Sequence, residues 1–326
     1  MDHTLFDNLH REGLISDESF AKIKQRHQTN LFSVQWEIKT ILYLGIILLT
    51  SGLGILVYKN IDTIGHQAIL TFIALICGGC FYYCFKHKAP FNKEKVQSAK
   101  PFFDYVLLLG ATMLIIFVGY LQYQYQVFGL HYGMATFIPM LVLFYIAYDF
   151  DHLGILNMAI ANLAVWLGVS VTPKTLLAYG TFNSQNIIYT YIGFGLLLLM
   201  LGWLTDRLAL KKHFKFSYHH YGVHVSFIAL LAAYFYNYSN IASVGWIIAL
   251  GLLAALLYRN AYQHKAFYFL VLIVLYAYFA SSCIVVRMLI VVADIGAFYL
   301  LFIYFIGSAI GCIMLLRNLH HQLTHE

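Results

Sequence analysis

Charge is what this sequence has least of. Lys, Arg, Asp and Glu make up 10% of its 326 residues, while 61% are hydrophobic and the mean hydropathy is +0.73. Soluble domains run near 25% charged, so a water-soluble globular fold is excluded and a polytopic membrane protein fits. The common enzyme motifs are missing too. There is no Gly-x-Ser-x-Gly elbow, no Gly-x-x-x-x-Gly-Lys-Ser/Thr phosphate loop and no Gly-x-Gly-x-x-Gly fingerprint. With these absent no reason to expect catalysis remains, no catalytic residue is assigned, and neither a cofactor nor a metal is expected. A cleavable leader is also lacking: Met1 to Glu37 is polar and has no short apolar run ending in small residues, so the first span is expected to serve as its own insertion signal.

The five cysteines lack the company that would make them reactive. Cys77, Cys80, Cys84, Cys283 and Cys312 all lie in apolar runs, and Cys77-Gly-Gly-Cys80 has the form of a redox or zinc motif without a neighbouring cation or His to stabilise a thiolate. They read as small packing hydrophobes.

What the chain does contain is apolar runs of membrane length. Thr40 to Tyr58 is nineteen residues without a charge, between Lys39 and Lys59. At 1.5 Å per residue such a helix crosses most of a hydrocarbon core of about 30 Å. Nine more runs follow, with cores at Gln67–Phe85, Phe103–Leu121, Gly133–Tyr148, Leu153–Val171, Ile187–Leu204, Tyr221–Tyr238, Ala242–Tyr258, Phe267–Val286 and Ala297–Leu316. The expected fold is an all-α bundle of about ten transmembrane helices. Three segments follow: a helical hairpin at 1–37, a ten-span domain at 38–318 and a polar tail at 319–326.

Basic residues test that count. Cytoplasmic loops of membrane proteins are enriched in Lys and Arg. With ten spans, seventeen of the twenty Lys and Arg fall on the side of the termini, and only Lys59, Lys174 and Arg287 fall opposite. The expectation is an inner-membrane protein with both ends in the cytoplasm. Spread over separate segments without a base-reading motif, these cations, and the net charge of +6, point to anionic lipid head groups rather than nucleic acid.

In the first segment, Leu5, Phe6 and Leu9, then Phe20 and Ile23, recur at helical spacing. Between them Gly13 suits a helix C-terminus, Ser16 an N-cap, and Asp17 and Glu18 the positive end of the next helix. This hairpin is the expected place for a protein partner. The stretch Leu9-His10-Arg11-Glu12-Gly13-Leu14-Ile15-Ser16, followed by Tyr43-Leu44-Gly45-Ile46-Ile47-Leu48-Leu49 and Tyr58-Lys59-Asn60-Ile61, resembles the bacterial family of predicted membrane proteins designated domain of unknown function two-one-five-seven. The resemblance covers roughly the first third of the chain. It departs at Tyr58-Lys59-Asn60-Ile61, where relatives often carry an Asn-Trp pair, which leaves the interface role of that tryptophan to Tyr58. The resemblance implies a bacterial inner-membrane protein, and carries over no activity and no catalytic residues.

Polar groups within a bilayer are costly and often functional. Arg287 and Asp294, seven residues apart, fall on one helical face and are placed to pair or to bind a charged solute; the plainer reading is an interfacial Arg and a helix-capping Asp. Asn157 and Asn162 in the fifth span read as hydrogen-bonding glue between helices, or as lining for a permeation path. Asp104 sits at a span edge. Asp149, Asp151 and His152 form an inner turn with no Lys or Arg, read as a solvated turn or a divalent-cation site. His220 and His224, at i and i+4, lack the intervening Glu of a His-Glu-x-x-His helix. Three functions are compatible: a non-catalytic scaffold, assembly or sensing protein, a secondary transporter of a small solute, and an intramembrane enzyme. A water-filled cavity at the midplane would favour transport; a tightly packed bundle with small residues at its contacts would favour the first.

Overall fold

The computed structural model describes residues 15–17, 35–59, 65–96, 101–171, 185–292 and 295–325. The expected hairpin at 1–37 therefore lies almost wholly outside the described residues, as does Asp294. Among the described residues there are ten α-helices and no strands. They are α1 (Gln35–Lys59), α2 (His66–His87), α3 (Pro101–Tyr125), α4 (Met134–Phe150), α5 (Leu153–Val171), α6 (Gln185–Arg207), α7 (Phe214–Tyr236), α8 (Ala242–Gln263), α9 (Phe267–Val292) and α10 (Ile295–His325).

Seven of the ten are long and apolar enough to cross a membrane by length and composition. The other three miss for different reasons. At 17 residues α4 spans about 25 Å, and α5 is also a short apolar helix. By contrast α7 has the length, with 23 residues, but His219, His220 and His224 lower its hydropathy. It begins at Phe214, seven residues ahead of the expected Tyr221, because His219 and His220 lie within the helix rather than before it.

Two compact units divide the chain, Met1–Asn60 and Ile61–Glu326. In the first, Thr50 Oγ1 of α1 donates to the carbonyls of Ile46 and Ile47 at 2.8 and 3.0 Å, which satisfies that hydroxyl within its own helix. In the second, one core gathers Leu107, Leu143, Leu156 and Leu198 from α3 to α6, and another gathers Phe227, Leu250 and Leu270 from α7 to α9. Helix α7 packs against α5, α6, α8 and α9 and joins the two.

The tightest contact, between α6 and α7, depends on missing side chains. A Cβ on Gly195 would lie 2.7 Å from the backbone nitrogen of Ser226, and one on Gly222 would lie 3.0 Å from that of Leu199. Small residues let membrane helices approach until backbones touch, which substitutes for the hydrophobic drive that lipid cannot supply.

From α2 onward the helices alternate in direction. The turns after α2, α4 and α6 meet at one end, joined by the bonds described below; the turn after α8 lies beside them, His264 sharing a cavity with Lys212 and Lys215, and the far end of α10 reaches the same level, where His320 packs on Phe267 with ring centroids 4.8 Å apart. At the opposite end Gln122 clasps the α3–α4 turn, its Nε2 donating to the Gly129 carbonyl and its Oε1 accepting from the Phe128 N–H, both at 2.9 Å. Gly129, at φ 56°, makes that turn possible. Among the described residues of the second unit, eleven Lys and Arg lie at the first end and Arg287 alone at the other.

Candidate functional site

A dense polar group is built from three of these turns. Asp151 follows α4 in the left-handed conformation, with φ 58° and ψ 43°, which reverses the chain and aims its carboxylate across the end of the bundle. Its side chain is 1% exposed. Oδ1 accepts a hydrogen bond from His213 Nε2 at 2.6 Å, and Oδ2 accepts the Val96 N–H at 2.6 Å and faces Lys211 Nζ at 3.3 Å. The Lys211 side chain is fully buried; its ammonium also donates to the Glu94 carbonyl at 3.3 Å and lies 5.3 Å above the Phe91 ring. The Lys211 N–H closes the arrangement by donating to the Lys93 carbonyl at 2.8 Å.

A buried ion pair survives only when further hydrogen bonds satisfy what is left of each charge. Here each partner has them. The carboxylate is engaged by protein on both oxygens and buried, so Asp151 belongs neither to a solvated turn nor to an open divalent-cation site. Asp149 makes a more exposed pair, accepting from Lys88 Nζ at 2.7 Å. Such a pair contributes at most about 1 kcal/mol.

His152 turns the other way, onto the helix it starts. Its Nδ1 accepts the Ile155 N–H at 3.1 Å, which caps the first turn of α5 and leaves the ring proton on Nε2. Only a glycine fits beneath it: a Cβ on Gly154 would lie 2.8 Å from His152 Cε1. Burial pushes the imidazole below the usual histidine value, against the opposing pull of the Asp104 and Asp151 carboxylates. Asp104, in the first turn of α3, is therefore near enough to His152 for its charge to be felt there.

The remaining candidates are scattered. Asn162 Nδ2 donates to the Met158 carbonyl of its own helix at 3.2 Å, so this bond is not the interhelical glue expected of it. Asn157 Oδ1 is buried without a hydrogen-bond partner. At the opposite end of the bundle Arg287 donates to Ser243 Oγ at 2.8 Å and lies over the Tyr238 ring at 4.5 Å. His220 and His224 are each bonded through Nδ1 to a tyrosine hydroxyl, of Tyr268 and Tyr276, at 2.7 Å. Cys77 Sγ donates to the Gly110 carbonyl at 3.6 Å, in keeping with a packing role.

Sequence reading missed Lys211, His213 and Lys88 as the partners of the acidic turn. One signal pointed to them: a turn with two carboxylates and no cation, on a face where every other turn is basic, is complementary to its neighbours.

Helical architecture, apolar runs and a polar group confined to one end define the class, a polytopic α-helical membrane protein. Within that class, residues 7–156 match the model of the family described as predicted membrane protein (DUF2157). The match bears out the resemblance of the first span and its flanks and extends it beyond the first third, to the start of α5. No curated protein and no solved structure matches the chain.

Proposed function

We propose that this protein is a non-catalytic inner-membrane protein, with both termini in the cytoplasm, whose basic end is a fixed platform for scaffolding, assembly or sensing. One observation carries the reading: the turns after α2, α4 and α6 are locked to each other through Asp151, so the surface they form does not depend on a bound partner for its shape. The positive-inside rule supports a cytoplasmic position for that end, and the glycine-mediated contact of α6 and α7 supports a packed bundle over a hydrated one. The N-terminal segment 1–37 and the lysine-rich 86–100 segment are the surfaces offered to a protein partner, and anionic lipids the partners of the remaining cations.

A secondary transporter is the second reading, favoured by the unpartnered Asn157 Oδ1, since buried polar atoms without a partner are rare. Alternating access separates the two. A cysteine at Ser226, midway along α7, introduced after replacing the five native cysteines, stays unreactive to a water-soluble maleimide in open vesicles if the bundle is a platform. Labelling there moves the reading to transport. Reporter fusions at Lys93 and Lys174 read opposite sides; the same side from both overturns the topology.

A further inference from the structure

A cavity of about 310 Å³ opens at the basic end between α7, α8 and α9 and shares His213 with the Asp151 group. Its rim and floor differ in chemistry. Lys212, Lys215 and His264 stand at the rim, and Val223, Leu257 and Ile273 form the floor. Lys215 donates to Asp206 Oδ2 at 2.6 Å and is thereby matched, which leaves the rim with the excess positive charge of the exposed Lys212. Val223 and Ile273 are 1% and 2% exposed, so the floor reaches the second core of the bundle. A cationic rim at head-group level above an apolar slot running along the helices matches an anion attached to a hydrocarbon chain. The volume is near the lower bound of ligand pockets, about 300 Å³, enough for a head group and the first part of one chain rather than a whole lipid.

We infer that this cavity is a binding site for an anionic phospholipid, with the phosphate beside Lys212 and His264 and one acyl chain entering along Val223, Leu257 and Ile273. The inference rests on reading the basic end as a membrane interface, but it does not depend on which side of the membrane that end faces. A soluble phosphate compound would use the rim and leave the floor empty, so the apolar floor selects the lipid.

The test is native mass spectrometry of the delipidated full chain in non-ionic detergent, with phosphatidylglycerol, phosphatidylcholine and glycerol phosphate as separate probes. Phosphatidylglycerol is expected to bind in preference to phosphatidylcholine, and Lys212→Gln to weaken it about fivefold, the effect of one interfacial lysine. Leu257→Trp, which fills the floor, weakens it as well. Lys95→Gln, elsewhere on the basic end, leaves it unchanged. Lys212 is exposed, so its replacement leaves the core intact even if Leu257→Trp fails to fold. Equal losses from Lys95→Gln and Lys212→Gln, or equal binding of the two lipids, overturn the site. Glycerol phosphate binding as tightly as the lipid replaces it with a soluble-phosphate site. Detergent removes sidedness, so a failed reporter-fusion topology and a failed lipid site remain distinguishable.

Discussion

Asp151 and Lys211 occupy turns separated by two whole helices, α5 and α6, yet their charged atoms lie 3.3 Å apart with the lysine side chain fully buried. This pair, with His213 and the Val96 N–H, ties three turns into one surface. Its value is in specificity. A buried ion pair is often no more stabilising than a well-packed apolar pair of the same volume, but a mispaired register would strand two charges.

Asp151→Ala is therefore expected to cost about 3–5 kcal/mol, because Lys211 is left buried without its counter-charge. The double variant Asp151→Leu, Lys211→Met removes both charges and recovers a large part of the loss. Unfolding of the purified protein in detergent measures both, and a single-variant loss under about 1 kcal/mol would mean the pair behaves as a surface pair.

The α6–α7 contact yields a prediction with an internal control. Gly195→Ala drives a methyl into Ser226 of α7 and is expected to destabilise by about 1–3 kcal/mol. Gly193→Ala, two residues earlier on the same helix, meets nothing within 4 Å and leaves stability unchanged or slightly raised. Equal effects from the two substitutions would falsify the proposed close packing.

Stability should also depend on pH through His152. Its folded value is depressed, so the folded protein keeps the ring neutral while the unfolded chain takes up a proton below the ordinary value of 6.5. The contribution is whole above that value and is lost as pH falls from it toward the lower folded value. His152→Asn keeps an acceptor for the Ile155 N–H and does not titrate, so its melting temperature is expected to fall less than that of the unaltered protein between about pH 7 and 5. Parallel curves would remove His152 as the cause.

Much of the helical framework was legible. The expected run Leu153–Val171 coincides with α5, and Phe267 and Ala242 start α9 and α8 as expected. The start of α7 was not, because hydropathy counts His219, His220 and His224 as polar, whereas the helix places His220 and His224 against the hydroxyls of Tyr268 and Tyr276. Little of the site was legible. Asp151 stood out only as an acidic residue on a basic face, and nothing in its neighbours in sequence names Lys211. Asn162 shows the converse: an amide in an apolar run has a carbonyl of its own helix within reach, and its Nδ2 donates there.

The sequence by itself determined that this is a polytopic helical membrane protein, where its apolar helices run and at which end its cations gather. Those properties are local or additive. Hydrocarbon offers no hydrogen bonds, so each apolar run must satisfy its own backbone as a helix, and the charge of a loop needs no partner to be counted. Only the tertiary structure decided that Asp151 is buried, which cation it meets, which glycines are indispensable and where a cationic rim meets an apolar floor. Each of these depends on two or more distant segments arriving at the same place, and the energy of a buried charge or a close contact is set by what arrives beside it rather than by the residue itself.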